Sequence, residues 1–415
     1  MNNRFLKVVV LVLAAVLSLG TLTASAARSI EVWAFSSVND LQQLIPQFEK
    51  STKVTVHLVA YTSRNDRNTA LQQLMAGRGP DVVIGNLGDP ELYSSLNRLV
   101  ERWNQWRFIT SKFALRDEAT GNIYALPTGI RINGIAIFKP AFTNSGLDPN
   151  RPPASWEDLA QTAAKLTKTT SLGRQAGFEC AWDINVVEDF LTQNNGRVVS
   201  EDGRRSLLNS QPAKQTLAFL AQLFQTSRDY QHEYWGNHRY NFPLEAPMSM
   251  GNSSQARALA GIGQAGNVHG AFAPKRCTNC SIAPPASATG YIGIARTAKN
   301  SQDAWNFITW FLSPEISAAY NAGSYNLPPR LDAANQVAKA QPLLVDWYKL
   351  LPNARIVSYS GRGYEVLGAA FSSRDVESMF RKVLRGEIDS AVLLDQLHYQ
   401  YQEALDAAWA AERLR

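Results

Sequence analysis

Apolar and polar positions alternate in blocks through the first hundred residues. "SIEVWAF", Ser29 to Phe35, has strand character, and "DLQQLIPQFEK" sets Leu41, Leu44, Ile45 and Phe48 at i, i+3, i+4 and i+7, one face of a helix. Pro46 inside that helix predicts a kink, because proline removes a backbone donor and crowds the preceding turn. "KVTVHLV" alternates as a second strand, and "NTALQQLMAG" is a helix closed by Gly77. In "GRGPDVVIGN" a short apolar run follows a Gly-Pro break and stops at Gly85 and Asn86, so it reads as a buried strand, with "PELYSSLNRLV" the helix after it.

Strand and helix alternating at this pitch predict a parallel sheet with helices on its faces. In such sheets ligands bind beyond the carboxyl ends of the strands. That rule gathers Trp33, Phe35 and Ser36 after the first strand, Tyr61 and Thr62 after the second, and Asn86 and Asp89 after the third. Further along, "ASWEDLAQTAAKLTK" begins with Ser155 and Asp158 spaced as a capping box, then places Leu159, Ala163 and Leu166 on one face. "NSQPAKQTLAFLAQLFQ" repeats the device with Ser210 and Pro212, followed by Leu217, Leu220, Ala221 and Phe224. "YIGIA" returns to strand character and "SQDAWNFITWFLSPE" to helix, with no internal repeat along the chain.

Composition narrows the class. The chain has 415 residues, 45% hydrophobic and 18% charged, enough for two or three core-bearing domains. Its first residues put Arg4 and Lys7 before an apolar run that ends in Ala24-Ser25-Ala26, the pattern of a secretory signal over 1–26, cleaved after Ala26. No Cys follows that run, so the reading is a free exported protein in the periplasm rather than a lipid-anchored one. Loss of Arg4 and Lys7 takes the formal net charge from +6 to +4, a mild excess with acidic residues interleaved, which argues against a nucleic-acid partner. Cys277 and Cys280 form "CTNC" in a turn-rich stretch. With five scattered histidines supplying no second ligand pair for zinc, a local disulfide is the simpler reading, and Cys180 is left single. No metal or cofactor site is predicted.

Several stretches together resemble one family. "GPDVV", "YALPTG", "ASWEDLAQTAAKLTK", "FLTQNNGRVVSEDG", "APMSMGNSS", "GIARTAKNSQDAWNFITWFLSPE" and "SYNLPPR" occur in the order found in the family 1 extracellular solute-binding proteins, the sugar receptors of ABC importers. The resemblance implies an α/β, periplasmic-binding-protein-like fold: two α/β lobes joined by a hinge of several crossings, with a ligand cleft between them. By similarity the crossings fall near Thr128 to Arg131, Pro284 to Tyr291 and Asn326 to Arg330. One lobe would then comprise 27–129 and 286–328, and the other 130–285 and 329–415.

The same resemblance implies that the first lobe's rim meets the loop holding Gly251, Asn252 and Ser253, the segment with Trp182 and Asp183, Tyr325 in "GSYNLP", and Arg362 and Tyr364 in "GRGYE". Asp, Asn, Arg and Ser suit a polyol, whose hydroxyls need donors and acceptors, and a pyranose face packs on an aromatic ring. Trp182 is the first choice for stacking, Trp33 the second and Trp235 the third, whereas Trp305 and Trp310 read as core and Trp156 as local packing. Arg131 and Arg362 leave two readings open, a bidentate anion site that would take a phosphorylated polyol, or inter-lobe ion pairs and solvated side chains. The family implies partnership with membrane permease subunits and a monomeric receptor.

An exported glycoside hydrolase is the rival from another class. It needs two carboxylates set across a bond, and Glu179 with Asp183 or Glu188 with Asp189 read better as helix-flank charges. Polyamine or ferric-ion receptors of the same fold need more carboxylates, or paired tyrosines, than this rim offers.

Overall fold

The computed structural model describes residues 28–35, 39–117, 120–170, 173–179, 184–227, 246–253, 265–271, 274–277, 279–280, 284–356, 363, 366–367, 370 and 373–413. The 1–26 signal reading, Cys180, and the candidate residues Ser36, Trp182, Asp183, Trp235, Arg362 and Tyr364 lie outside them.

Three strands open the chain: β1 (Ser29–Ala34), β2 (Thr55–Ala60) and β3 (Val82–Gly85). They pair in parallel, as predicted for strand-helix alternation, in the order β2-β1-β3. Successive residues feed opposite faces of the sheet. Ile30, Val32, Ala34, Val82 and Ile84 enter one core with the helices Asn39–Thr52 and Ser301–Phe311, where Phe48 and Phe307 meet edge to face at 5.2 Å. Trp33, Phe35 and Val83 enter a second core with Ala70 and Leu74 of the helix Arg64–Met75. Trp305 and Trp310 belong to the first core, as expected.

Beyond β3 the sheet turns antiparallel. β10 (Pro285–Ile294) pairs with β3, and β5 (Ile123–Phe138) pairs with β10 and with the short β4 (Leu115–Arg116). β5 is long because it serves two sheets. Its first half belongs to the sheet just described, while Asn133–Ile137 pairs with β8 (Met248–Asn252) and Ile135–Phe138 with β9 (Val268–Ala271). Around this second sheet Ile135 and Ile137 join a separate core with residues of the helices Trp156–Leu166, Ile184–Gln193, Gln211–Ser227, Ser373–Leu384 and Ser390–Arg413. A small sheet, β6 (Lys168–Thr170) with β7 (Gly173–Gln175), lies off the main path, and β11 (Arg355–Ile356) pairs with the start of β10. Ile130, Ile132, Ala286 and Leu327 form a middle core with Trp347.

Local chemistry fixes the helix starts. Ser155 accepts from the Asp158 amide at 3.0 Å, and Leu159, Ala163 and Leu166 are buried as their spacing predicts. Trp156 is not packed locally as expected: it is buried in the core around the second sheet, stacked on Phe219, some sixty residues along the chain, at 4.4 Å between ring centres. The helix Asn39–Thr52 continues through Pro46, where Pro46 and Gln42, whose carbonyl loses its partner, are both on the exposed side. One further expectation needs correction. The helix expected over Pro90 to Val100 is instead a 3-10 turn, Pro90–Leu92, followed by the helix Asn97–Arg102. Sheet pairing interrupts it: Tyr93 is buried and bridges Ala295, and the Ser94 amide donates to the Ile294 carbonyl at 2.9 Å.

Cys277 and Cys280 form the local disulfide. No helix among the described residues is long and apolar enough to cross a membrane.

Candidate functional site

The strand register locates the rim. Ala60 lies opposite Ala34, Ala34 opposite Ile84, Ile84 opposite Ile292, and Ile292 opposite Leu126. The carboxyl ends of β1, β2 and β3 are therefore level with Leu126 on β5. β5 is antiparallel to β10 and β10 to β3, so β5 runs in the same direction as the three parallel strands and continues from that level toward the second sheet. The carboxyl edge thus faces the second sheet. Four residues further, Ile130 exchanges backbone hydrogen bonds of 2.8 Å with Leu327, while Ala286 and Ser287 of β10 pair with Ile132 and Arg131. Three segments of the chain run side by side there.

On the first sheet's rim, Tyr61 follows β2 and its amide donates to the Ala34 carbonyl at 2.8 Å. Its ring lies 5.4 Å from Phe35, stacked, and 5.1 Å from Trp33, edge to face. Burial, with the Glu31 and Asp66 carboxylates adding to it, pushes the Tyr61 hydroxyl above its ordinary pKa. Trp33 and Phe35 are buried beneath, and the Trp33 indole donates to Glu31 Oε1 at 2.6 Å. Both rings are therefore packed in the core: Trp33 offers no open face to a sugar, which corrects its reading as a stacking platform, and Phe35 is likewise closed off from the rim where it was expected. Gly85 has φ of +150°, and a Cβ there would come 2.7 Å from the Phe35 Cβ, so only glycine lets the strand end turn this close to β1. Asn86 and Asp89 are exposed, but Asp89 accepts from the Glu91 amide at 2.9 Å and so caps the Pro90–Leu92 turn.

The second sheet contributes a different set. Gly251 and Asn252 are not in a loop as expected: they are strand residues of β8, opposite Gly134 and Asn133. Ser253, just past the strand, has no exposed surface. Its hydroxyl donates to the Tyr325 carbonyl at 2.8 Å and its amide to the Ile132 carbonyl at 3.3 Å, so it ties strands together and is not open to a ligand. Tyr325 is half-buried and held at φ of +56°, a conformation that costs a non-glycine residue about 1–2 kcal/mol. Arg131 is exposed on the face of β5 opposite Ile130 and Ile132, with no ion-pair partner among the described residues.

Some residues that shape this region escaped sequence reasoning. Asn133 donates to both carboxylate oxygens of Asp189, at 2.9 and 2.8 Å. Glu188 and Asp189 are both buried, which corrects their reading as helix-flank charges. Asp81, in "GPDVV", is buried and accepts from the amides of Glu31, Lys299 and Asn300 at 3.0, 2.8 and 2.8 Å, so it joins β3 to β1 and to the start of the helix Ser301–Phe311. Arg330 is buried as well: its guanidinium forms a fork on Asp332 at 2.7 and 2.6 Å and reaches the Leu312 carbonyl and Gln105 at 2.7 and 2.9 Å. Single residues of these types carry no sequence signal, since their role depends on partners distant in the chain.

The family model for bacterial extracellular solute-binding proteins matches residues 35–318. The chain belongs to that family. Solved structures share the architecture: the sugar-binding protein MalE from Xanthomonas citri superposes with a TM-score of 0.77 at 16% identity, over 92% of this chain and 99% of that one. An ABC transporter solute-binding protein from Agrobacterium radiobacter in complex with ribitol gives 0.66 at 20% identity, over 91% and 98%. The fold of this solute-binding protein is therefore periplasmic-binding-protein-like, with two α/β lobes. In sequence, 79 residues are 34% identical to the sn-glycerol-3-phosphate-binding periplasmic protein UgpB of Shigella dysenteriae, a match spanning 19% of this chain and 17% of that relative.

Proposed function

We propose that this solute-binding protein captures a carbohydrate, a mono- or oligosaccharide or a polyol, between its lobes and delivers it to the membrane permease of an ABC importer. The observation that carries the reading is the rim geometry: the carboxyl ends of β1, β2 and β3 are level with the point where β5 leaves for the second sheet. A ligand there touches both lobes, the condition for closure to be driven by binding. The lobes are read as 27–129 with 286–328 and 130–285 with 329–415. Tyr61, Asn86, Arg131 and Tyr325 supply the described ligand contacts, and Ser36, Trp182, Asp183, Trp235, Arg362 and Tyr364 complete the set. Solved relatives named for sugar binding or holding ribitol support a neutral polyhydroxylated ligand. The protein acts as a monomer in the periplasm after cleavage of residues 1–26, and performs no chemistry on its cargo.

A second reading, a phosphorylated polyol, is favoured by the UgpB match and by Arg131, a cation with no ion-pair partner among the described residues, placed at the crossing. A thermal-shift panel of neutral saccharides, polyols and their phosphates separates the two. A ligand present at a hundred times its dissociation constant adds about 2.7 kcal/mol to the native state. Stabilisation by a neutral saccharide or polyol at least as large as that by its phosphate supports the first reading. Stabilisation only by phosphates, lost in Arg131→Ala, supports the second, and no shift across the panel rejects both.

A further inference from the structure

We infer that Arg67 is a ligand-contact residue of the first lobe, donating to the hydroxyl oxygens of a neutral saccharide or polyol beside Tyr61. The assignment rests on the neutral-ligand reading and adds a residue to it. Arg67 lies in the first turn of the helix Arg64–Met75, seven residues past Ala60 at the end of β2, so no rule about strand ends points to it.

The fold returns it to the rim. Its guanidinium Nη2 donates to the carbonyl of Phe35, the residue that follows the last of β1, the middle strand of the parallel set. The guanidinium is therefore at the carboxyl end of β1, where ligands meet a sheet of this kind. Phe35 also seats the neighbouring ring, since Tyr61 is stacked on it at 5.4 Å. Buried itself, Phe35 holds a cation with its carbonyl and a half-buried tyrosine with its ring. The two groups are thus fixed side by side by one residue of the core.

A guanidinium has five N–H donors in one rigid fork and no acceptor. One serves Phe35, and Arg67 has no ion-pair partner among the described residues, so four donors remain on a residue that is half-buried rather than enclosed. Nearby charge decides which acceptor fits. Burial raises the Tyr61 hydroxyl above its ordinary pKa, and the Glu31 and Asp66 carboxylates add to the shift, so an oxyanion arriving here would meet two like charges. A sugar hydroxyl meets no such repulsion: it accepts from Arg67 and keeps a proton to give to a carboxylate. The Tyr61 ring offers its apolar face to the C–H surface of the same ligand.

Calorimetric titration of the whole protein with neutral saccharides and polyols, ribitol and maltose among them, tests the assignment, with sn-glycerol 3-phosphate as the anionic comparison. Arg67→Met keeps an unbranched apolar stem and removes the donors, and should weaken the neutral ligand about tenfold, the worth of one charge-assisted hydrogen bond. Arg67→Lys, which keeps the charge but not the fork, should lose less, about threefold, and decides the matter if the Met variant does not fold. A bond to Phe35 with a structural role alone would lower the melting temperature and leave affinity intact. Full affinity for the neutral ligand in Arg67→Met, or in Arg67→Lys where the Met variant does not fold, would overturn the proposal and leave the cleft reading standing. A loss confined to the phosphate would do the same, by placing an anion at Arg67. Binding of no neutral compound by the parent protein would remove the neutral-ligand reading and this assignment with it.

Discussion

The Ser253 hydroxyl donates to the Tyr325 carbonyl at 2.8 Å, joining the end of β8 to the chain segment that pairs with Ile130 at the crossing. Ser253 is fully buried and Tyr325 sits at φ of +56°, so the bond helps hold an unfavourable backbone conformation in place. Ser253→Ala should cost about 1 kcal/mol of stability, one buried hydrogen bond. Ser253→Thr should cost about 1–3 kcal/mol, because its extra methyl has to be accommodated at a fully buried position. Urea unfolding of both variants measures this, and an Ala variant as stable as the parent would remove the bond's role.

Asn133 gives the second prediction. Its amide serves both oxygens of a buried Asp189, so Asn133→Ala should cost about 1–3 kcal/mol by leaving the carboxylate short of donors. Asn133→Asp sets two carboxylates against each other. Repulsion raises the pKa of the pair in the folded state, so this variant should regain stability as pH falls toward 4–5, against the usual trend for carboxylates. Chemical denaturation of this variant across that range is the check, and a stability that falls in parallel with the parent would contradict it.

These residues show where sequence reading reached and where it stopped. The parallel pairing of the first three strands was legible because strand and helix periods alternate cleanly, whereas their order was not, and Leu159, Ala163 and Leu166 were legible because one helical face sets their spacing. The rim followed from a rule about strand ends, which puts Tyr61 and Asn86 at the right edge but does not distinguish an exposed ring from a buried one. Phe35 adjoins the strand end, yet alternation turns it into the second core. The broken helix after Pro90 could not be read locally, since Tyr93 is captured by Ala295, some two hundred residues further on. Asn133 with Asp189 and Arg330 with Gln105 are long-range pairs of the same kind.

Asp346 makes acid sensitivity predictable. Its bond to His269, joined by Lys349, holds its carboxyl well below the usual carboxylate range, although partial burial opposes the shift. A depressed folded-state pKa contributes stability that is fully present above the unfolded value, near 3.9, and is lost as pH falls through the folded one. Wild-type protein should therefore lose stability on acidification below about pH 4, and Asp346→Asn should be less stable at pH 6 but lose less between there and pH 3. Melting temperatures of the two proteins across that range decide it: parallel curves would mean that Asp346 gains nothing from its partners.

The last prediction concerns the crossing itself. The β5 and β10 register is irregular around Gly290, opposite Gly129, where a regular ladder gives way to a bulge. Asn321 packs against this point: its amide donates to the Thr128 and Ser317 carbonyls at 2.9 and 2.8 Å, while its buried Oδ1 has no hydrogen-bond partner among the described residues. A Cβ on Gly129 would lie 2.1 Å from that oxygen and 2.7 Å from Thr289 Oγ1. Gly129→Ala should therefore cost about 1–3 kcal/mol through overpacking. Asn321→Ala should cost about 1 kcal/mol for each bond lost, yet it also clears the oxygen that the added methyl would strike. The double variant should then be less destabilised than the sum of the singles by about 1 kcal/mol, a partial rescue because Thr289 remains. Additive losses in urea unfolding would mean that the strand shifts away from Asn321, and that the close packing of Gly129 does not hold the crossing in place.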